Sequence, residues 1–161
     1  MTEDGVTVSI EVEADPVTAF EVFTNDIDSW WLRGPKHRFR AREDGRLTFE
    51  PGIAGRLYEK YADGSVFVIG RVTTWQPGER LVLAWRLPNF KENEATEVEV
   101  RFEPAGDATR VSVAHRGWHA LRPDHPARHA MTGRTFEMEK AKLWGDNLSS
   151  LRKRIASHGG S

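Results

Sequence analysis

The first apolar pattern along the chain has a period of two. Residues 6–12 read VTVSIEV, so that every second residue is apolar. Because successive side chains of a strand point to opposite faces, this segment predicts a half-buried strand. Asp15 is placed to cap a helix that begins at Pro16, where the missing N–H of proline costs nothing, and Phe20 and Phe23 share one face of that helix. A second short turn follows and ends on two adjacent tryptophans, Trp30 and Trp31.

From residue 39 to residue 115, apolar segments alternate with turn-forming pairs. The turns are predicted at Asp44-Gly45, Pro51-Gly52, Asp63-Gly64, Pro77-Gly78 and Pro104 to Gly106. This spacing indicates an antiparallel meander of about six strands in addition to the first one. The last two of these strands alternate apolar and charged residues, so one face of the sheet is predicted to contact water.

The apolar period changes to three and four near the C-terminus, from about residue 130 to 156. The apolar positions there are Met131, Met138, Ala141, Trp144, Leu148, Leu151 and Ile155. They predict one long amphipathic helix of roughly 40 Å, which is enough to cross the sheet. Gly145 interrupts this pattern at a cost to the helix, and we therefore expect a bulky group close to it.

Length and composition restrict the class of protein. The chain has 161 residues, which fits a single domain over residues 1–161 with a core at about 5–156. A formal net charge of -1 gives no electrostatic reason to expect a nucleic acid partner. The absence of cysteine excludes disulfides, thiolate nucleophiles and cysteine-ligated zinc. Without a signal peptide pattern or a long apolar run, we expect a cytoplasmic location and no membrane insertion.

Four segments carry a resemblance to a known family. They are ADPVTAFEVFTNDIDSWW at 14–31, GRVTTWQPGERLVLAWR at 70–86, HRGW at 115–118 and LWGDNLSSLRKRI at 143–155. Together they resemble the activator-of-Hsp90-ATPase-like (AHSA1-like) branch of the SRPBCC superfamily, which also contains the START and Bet v 1-like domains. The likeness spans nearly the whole chain.

The resemblance implies an α+β helix-grip fold. In that fold a curved antiparallel sheet of six to seven strands wraps a long C-terminal helix, and two short helices follow the first strand. An apolar cavity lies between sheet and helix, with its entrance near the short helices, which implies that Trp30 and Trp31 form a lid. We do not carry over the co-chaperone activity of the family, and no polyketide cyclase residue set maps onto this chain.

The candidate cavity lining combines apolar side chains with a few polar ones. It comprises Trp30, Trp31, Tyr58, Phe67, Ile69, Arg71, Trp85, His115, Trp118, Met138 and Trp144. Indole gives a large apolar surface with one N–H donor, and at least one of the two adjacent tryptophans is expected to face the cavity. Counting by twos from Val113 places His115 on the inner face. The inward or outward assignment of Tyr58 and Arg71 is ambiguous by one residue, so the sequence allows each side chain on either face of the sheet.

The four histidines at 115, 119, 125 and 129 suggest a metal site, because imidazoles four residues apart on a helix bind zinc. Gly117, Pro123 and Pro126 interrupt that segment, and we predict neither a metal nor another cofactor. The sequence also lacks the phosphate-binding glycine motifs and the serine-hydrolase elbow.

Three functions follow from these observations. The first is binding of a hydrophobic or aromatic small molecule in the cavity. The second is an enzyme of polyketide cyclase or dehydratase type in the same cavity, with His115 and either Arg71 or Tyr58 as polar groups. The third is a chaperone-associated protein-interaction module, which would have a filled interior and an exposed apolar patch. A homodimer is left open.

Overall fold

The computed structural model describes residues 6–32, 45–85, 96–116 and 133–159, with the backbone alone at 133–140 and 158–159. The elements in chain order are β1 (Val6–Val12), α1 (Pro16–Asn25), α2 (Ile27–Trp30), β2 (Arg46–Phe49), β3 (Arg56–Lys60), β4 (Val66–Gln76), β5 (Arg80–Trp85), β6 (Thr96–Ala105), β7 (Ala108–Arg116) and α3 (Gly133–Gly159). This order confirms the predicted helix-grip fold.

The seven strands form one antiparallel sheet in the order β1-β7-β6-β5-β4-β3-β2. Strands β2 to β7 are a meander in which each strand pairs with the next, and β1 pairs with β7 in the register Val6 to His115. Several turns of the meander have glycine in the left-handed region, with φ of 89° at Gly52, 88° at Gly64 and 77° at Gly78. Glycine reaches this region without steric cost, which is why these pairs predict turns correctly.

Two irregularities change the register of β4. Leu57 of β3 pairs with Gly70 whereas its neighbour Tyr58 pairs with Val68, so Ile69 is an extra residue in β4. A second shift toward β5 lies between Val72 and Thr74. Extra residues of this kind bend a strand and increase its twist. They also invert the alternation, so that positions expected to face inward after the extra residue face outward instead.

The core lies between the inner face of the sheet and the helices. Phe20 and Phe23 of α1 pack on Phe102 of β6 with ring centroids 5.2 and 5.8 Å apart, and Phe20 also contacts Trp75 at 5.0 Å. The predicted inner stripe of α3 is buried at Trp144, Leu148, Leu151 and Ile155. This helix packs mainly against β1 and α2. No helix in the described part of the chain is long and apolar enough to cross a membrane.

The outer face of the sheet is organised around one carboxylate, Glu99 of β6. Its side chain is 5% exposed and accepts hydrogen bonds from Arg116 at 2.6 Å, Arg101 at 3.1 Å and Arg80. Burial raises the pKa of Glu99, but the hydrogen bonds from Arg116 and Arg80 and the charges of Arg101 and Arg80 outweigh this effect and lower the pKa to about 2.

We predict that Glu99→Gln lowers the free energy of unfolding at pH 7 by about 1–3 kcal/mol, because Arg80 and Arg101 lose their charged partner and Arg116 keeps only Glu97. The pKa of Glu99 is lower in the folded state than its usual 4.5, so its contribution is complete above pH 4.5 and disappears as the pH falls toward 2. Urea unfolding at pH 7 and pH 3 tests this expectation. Glu103→Gln, at an exposed position of the same strand, is the control, and an equal loss at both pH values would contradict the explanation.

Gly70 in β4 and Gly145 in α3 differ in the space that is available for a side chain. A Cβ at Gly70 would lie 2.7 Å from the carbonyl oxygen of Ala84, so this position excludes any side chain. At Gly145 in α3, no atom of the described residues lies within 4 Å of the Cβ position. The prediction of a bulky group close to Gly145 was therefore wrong. Packing does not explain why the helix has a destabilising glycine at this position.

We expect Gly145→Ala to raise the free energy of unfolding by about 0.5–1 kcal/mol, because alanine has the higher helix propensity and meets no steric obstacle there. Gly70→Ala should lower it by about 1–3 kcal/mol, because the added methyl group collides with a backbone carbonyl. Thermal unfolding followed by circular dichroism measures both changes. Destabilisation by Gly145→Ala would show that the space beside α3 is occupied.

Candidate functional site

Three indoles and one imidazole meet on the inner face of the sheet. The rings of Trp31, Trp85, Trp144 and His115, called here the indole–imidazole cluster, are each at most 4% exposed. Trp144 lies 5.3 Å from Trp31, 5.6 Å from Trp85 and 6.0 Å from His115, measured between centroids. The ring planes of these pairs are inclined by 54° to 86°, which suits the quadrupoles of aromatic rings.

Each ring of the cluster reaches it from a different element. Strand pairing aligns Trp85 of β5 with Thr96 of β6, and His115 of β7 with Val98 of β6. Side chains two residues apart on β6 face the same way, so Trp85 and His115 lie on the same face of the sheet. Trp144 belongs to the inner stripe of α3, and Trp31 follows the last residue of α2.

A chain of hydrogen bonds runs through the cluster. The indole N–H of Trp144 donates to His115 Nδ1 at 3.1 Å, and His115 Nε2 lies 2.8 Å from the hydroxyl oxygen of Thr96. Indole is only a donor, so Nδ1 is the acceptor and the hydrogen of the neutral ring is on Nε2. The Thr96 hydroxyl then donates to the carbonyl oxygen of Trp85 at 3.3 Å. Every bond in the chain has one direction, which sets both the tautomer and the orientation of His115.

The two adjacent tryptophans have different surroundings. The indole N–H of Trp30 lies 3.3 Å from the carbonyl oxygens of both Val22 and Phe23, near the C-terminal end of α1. Its ring packs on Phe23 at 4.9 Å. The Val22 carbonyl also accepts the backbone N–H of Asp26 at 3.2 Å, so the indole N–H of Trp30 is a second donor to it and is shared with the Phe23 carbonyl. Trp31 instead points toward α3 and β5, so only Trp31 of this pair belongs to the cluster.

Asn147 of α3 joins the end of α2 to the long helix, a role that sequence reasoning missed. It is completely buried, its Oδ1 accepts from the backbone N–H of Leu32 at 2.9 Å, and its Nδ2 donates to the carbonyl oxygen of Leu143 at 3.0 Å. This link holds Trp31 beside Trp144. A buried amide three residues after Trp144 was the available signal, because polar groups are buried only with partners.

Tyr58 and Arg71 lie on the outer face and correct the proposed lining. Arg71 is exposed, and the Tyr58 ring lies 5.0 Å from the guanidinium carbon of Arg56, which in turn bonds Glu50 at 2.8 Å. For Arg71 the physical reason is the extra residue Ile69, which inverts the alternation between residue 68 and residue 70 of β4. Tyr58 faces outward because it lies between the inward-facing Leu57 and Glu59 of β3. Ile69 itself is fully buried.

Other predicted residues are placed as follows. Phe67 is half-buried and packs against the core from β4. Trp118 and the histidines at 119, 125 and 129 lie outside the described residues, and the side chain of Met138 does too.

A buried carboxyl group on the inner face was not among the predicted lining. Glu59 of β3 is completely buried, and its Oε1 accepts a hydrogen bond from the hydroxyl group of Tyr61 at 2.5 Å. Its Oε2 is buried and has no hydrogen-bond partner among the described residues. The alternation of β3, in which Leu57 and Glu59 share a face, was the signal for this position.

We predict that Thr96→Val, which keeps the side-chain shape but removes the hydroxyl group, lowers the free energy of unfolding by about 1–3 kcal/mol. Trp144→Phe should have a similar cost, and the double variant should lose less than the sum because both changes break one chain. Urea unfolding measures these energies, and the ¹⁵N shifts of His115 report its tautomer. Thr7→Val, at an exposed position, is the control. Strict additivity, or an unchanged tautomer in all variants, would contradict this account.

Comparisons with known proteins agree with the fold. The family model for Activator of Hsp90 ATPase homolog 1-like protein matches residues 13–154. The anthrahydroquino-γ-pyrone synthase Txn09, solved in a complex, is 31% identical, with 95% of this chain and 99% of that chain covered and a TM-score of 0.58. No protein of curated function matches this chain.

Two further structures share the fold at lower identity. The Aha1 dimer from Colwellia psychrerythraea is 19% identical, with 96% of each chain covered and a TM-score of 0.63. An HSP90 activator from Plasmodium falciparum is 15% identical, with 95% of this chain and 96% of that chain covered and the same TM-score of 0.63. At such identity the likeness concerns the fold.

Proposed function

Because this chain belongs to the Activator of Hsp90 ATPase homolog 1-like family, whose model matches residues 13–154, we propose that it binds a planar aromatic small molecule beside the indole–imidazole cluster. The site lies between the sheet and α3. The binding site proposed here keeps Trp31, Phe67, Ile69, Trp85, His115 and Trp144 from the predicted lining, together with Trp118 and Met138 as predictions.

The observation that carries the proposal is the convergence of the four rings from four different elements. Small-molecule sites are mostly apolar, with a few polar groups that orient the ligand. The cluster has this composition, because three indoles surround a single imidazole whose orientation is set by Trp144 and Thr96. Rings held by packing lose little conformational freedom when a flat ligand stacks on them, which favours aromatic ligands over flexible chains.

The class of ligand is also supported by one relative. Txn09 is named as a synthase of an anthrahydroquino-γ-pyrone, which is a fused polycyclic aromatic compound, and it is 31% identical to this chain over nearly the full length of both. From Txn09 we infer only the class of ligand for this chain, which is a flat polycyclic aromatic compound. The co-chaperone relatives share the fold at 15% and 19% identity and do not support an Hsp90 partner for this chain.

The same relative favours a second candidate, a cavity enzyme of polyketide cyclase type. His115 is a poor proton acceptor in the described arrangement, because its Nδ1 and Nε2 already bond Trp144 and Thr96. Catalysis would then depend on confining the substrate or on another acid–base group. The protein-interaction alternative has weaker support, because the exposed large apolar residues of the described chain, Val17, Ile53 and Val66, belong to three different segments.

We predict that 2,6-dimethoxyanthraquinone binds with a Kd of about 1–50 μM, which corresponds to about -6 to -8 kcal/mol. Trp31→Leu should weaken binding at least about tenfold through the loss of aromatic contact. Isothermal titration calorimetry measures the affinity, and the quenching of tryptophan fluorescence confirms proximity to the cluster.

Two controls accompany this titration. Trp75→Leu removes a half-buried indole that packs on Phe20 and Phe49, outside the cluster, and should leave the affinity within threefold of the parent. Decanoic acid, a flexible chain of similar apolar character, should bind more weakly than the planar compound. Absence of heat, quenching and thermal stabilisation for anthraquinones of any substitution would reject the proposed function and favour the protein-interaction module.

A further inference from the structure

The polar group on the inner face that has no structural explanation is Glu59. Its carboxyl group is completely buried, and Tyr61 supplies one hydrogen bond to Oε1 at 2.5 Å. Oε2 is buried and has no hydrogen-bond partner among the residues that the structure describes. A carboxyl oxygen removed from water without a replacement partner is unfavourable, and such groups in native proteins call for an explanation.

The carboxyl group of Glu59 packs directly against a glycine. A Cβ at Gly45 would lie 2.7 Å from Glu59 Oε2 and 2.7 Å from its Cδ, so any other residue at position 45 would occupy the room that the carboxyl group now uses. The strand neighbours of Glu59 are Leu47 on β2 and Phe67 on β4. Because paired residues share a face of the sheet, Oε2 lies among apolar side chains.

The register of the sheet relates Glu59 to the indole–imidazole cluster. Leu57, two residues before Glu59 on β3, pairs with Gly70, and Gly70 pairs with Trp85. Glu59 is therefore displaced from Trp85 by two residues along the strand and by two strands across the sheet. The distance between their Cα atoms is roughly 12 Å. Both side chains point to the inner face. A fused aromatic of three or four rings is long enough to stack at the cluster at one end and to reach the carboxyl group at the other.

We propose that Glu59 is a ligand-binding residue whose Oε2 accepts a hydrogen bond from a hydroxyl group on the edge of the aromatic ligand. This inference rests on the proposed function and specifies it, because it names the substituent that the ligand carries. Tyr61 is the positioning residue. Its hydroxyl group holds Oε1 and thereby fixes the orientation of Oε2, which lies against Gly45.

The hydrogen bond from Tyr61 occupies only one of the two carboxyl oxygens. Tyr61 donates its hydroxyl hydrogen to Oε1, and Oε2 has no hydrogen-bond partner among the described residues. Oε2 can therefore accept a hydrogen bond from a donor on the ligand.

A hydroxyl group suits this position better than an ammonium group. Phenolic and enolic hydroxyls have one hydrogen and need one acceptor, which Oε2 supplies. An ammonium group has three hydrogens, and the strand neighbours Leu47 and Phe67 offer only apolar side chains. The ligand class is therefore a hydroxylated planar aromatic.

The test compares two ligands of the same ring system, 2,6-dihydroxyanthraquinone and 2,6-dimethoxyanthraquinone. Their hydroxyl and methoxy groups are at the outer edges, away from the quinone oxygens. Titrations at pH 6 keep the hydroxyl groups protonated. For the parent protein we expect the dihydroxy compound to bind at least about tenfold more tightly, because only this compound can donate a hydrogen bond to Oε2.

Three variants assign this preference to Glu59. Glu59→Gln keeps the shape and the bond from Tyr61, and it should reduce the preference to within threefold. Gly45→Ala keeps the carboxyl group but adds a Cβ 2.7 Å from the present position of Oε2, so the carboxyl group must move and the dihydroxy compound should bind more weakly. Glu103→Gln, an exposed carboxyl on β6, should leave the preference unchanged. Near-ultraviolet circular dichroism verifies that each variant has the parent fold.

The outcomes separate the two proposals. If both compounds bind the parent protein equally, or if Glu59→Gln keeps the preference, the hydroxyl subsite is wrong and the proposed function stands. If neither compound binds, the proposed function fails and the subsite fails with it. If the preference is present in the parent and lost in both Glu59→Gln and Gly45→Ala, the subsite is established.

Discussion

The position of α3 over the sheet depends on one hydrogen bond between two aromatic rings, from the indole of Trp144 to the imidazole of His115. Apolar packing is not directional, so the apolar stripe of α3 alone would tolerate small shifts along the sheet. A buried donor and a buried acceptor tolerate none, because separating them leaves both unsatisfied. The bonds onward to Thr96 and Trp85 extend this requirement to β5 and β6, and Asn147 extends it to the end of α2. Trp31 therefore has a defined position beside the two indoles on which the proposed site depends.

The two faces of the sheet use polar groups in opposite ways. On the outer face, Glu99 is surrounded by three arginines, and its bonds satisfy both carboxylate oxygens. On the inner face, Glu59 has one partner for two oxygens. Both carboxyl groups are buried, but only the first is balanced by charge within the described chain. This contrast makes Glu59, and not the larger charged network, the informative group for function.

Much of the fold follows from the periodicity of apolar residues. Alternation at residues 6–12 fits only a strand, and the spacing of three and four after residue 130 fits only a helix. The faces of β4 did not follow, because one extra residue at Ile69 moves Arg71 outward. Alternation in the sequence cannot reveal an insertion whose cause is the pairing of two strands. Gly145 shows a similar limit, since the cost of a helical glycine is visible in the sequence but the space around it is not.

The site could be predicted in its apolar part and not in its polar part. Trp85 and Trp144 were expected to be buried from periodicity, and Trp31 from the family resemblance and the adjacent pair, and all three are buried. Hydrogen-bond partners join residues that are distant in sequence, such as Thr96 with His115 and Leu32 with Asn147, and only the tertiary structure brings them together. Glu59 was not placed in the predicted lining, because a charged residue in a strand normally faces water. A residue that breaks this rule, without a second partner in the described chain, marks a candidate functional position.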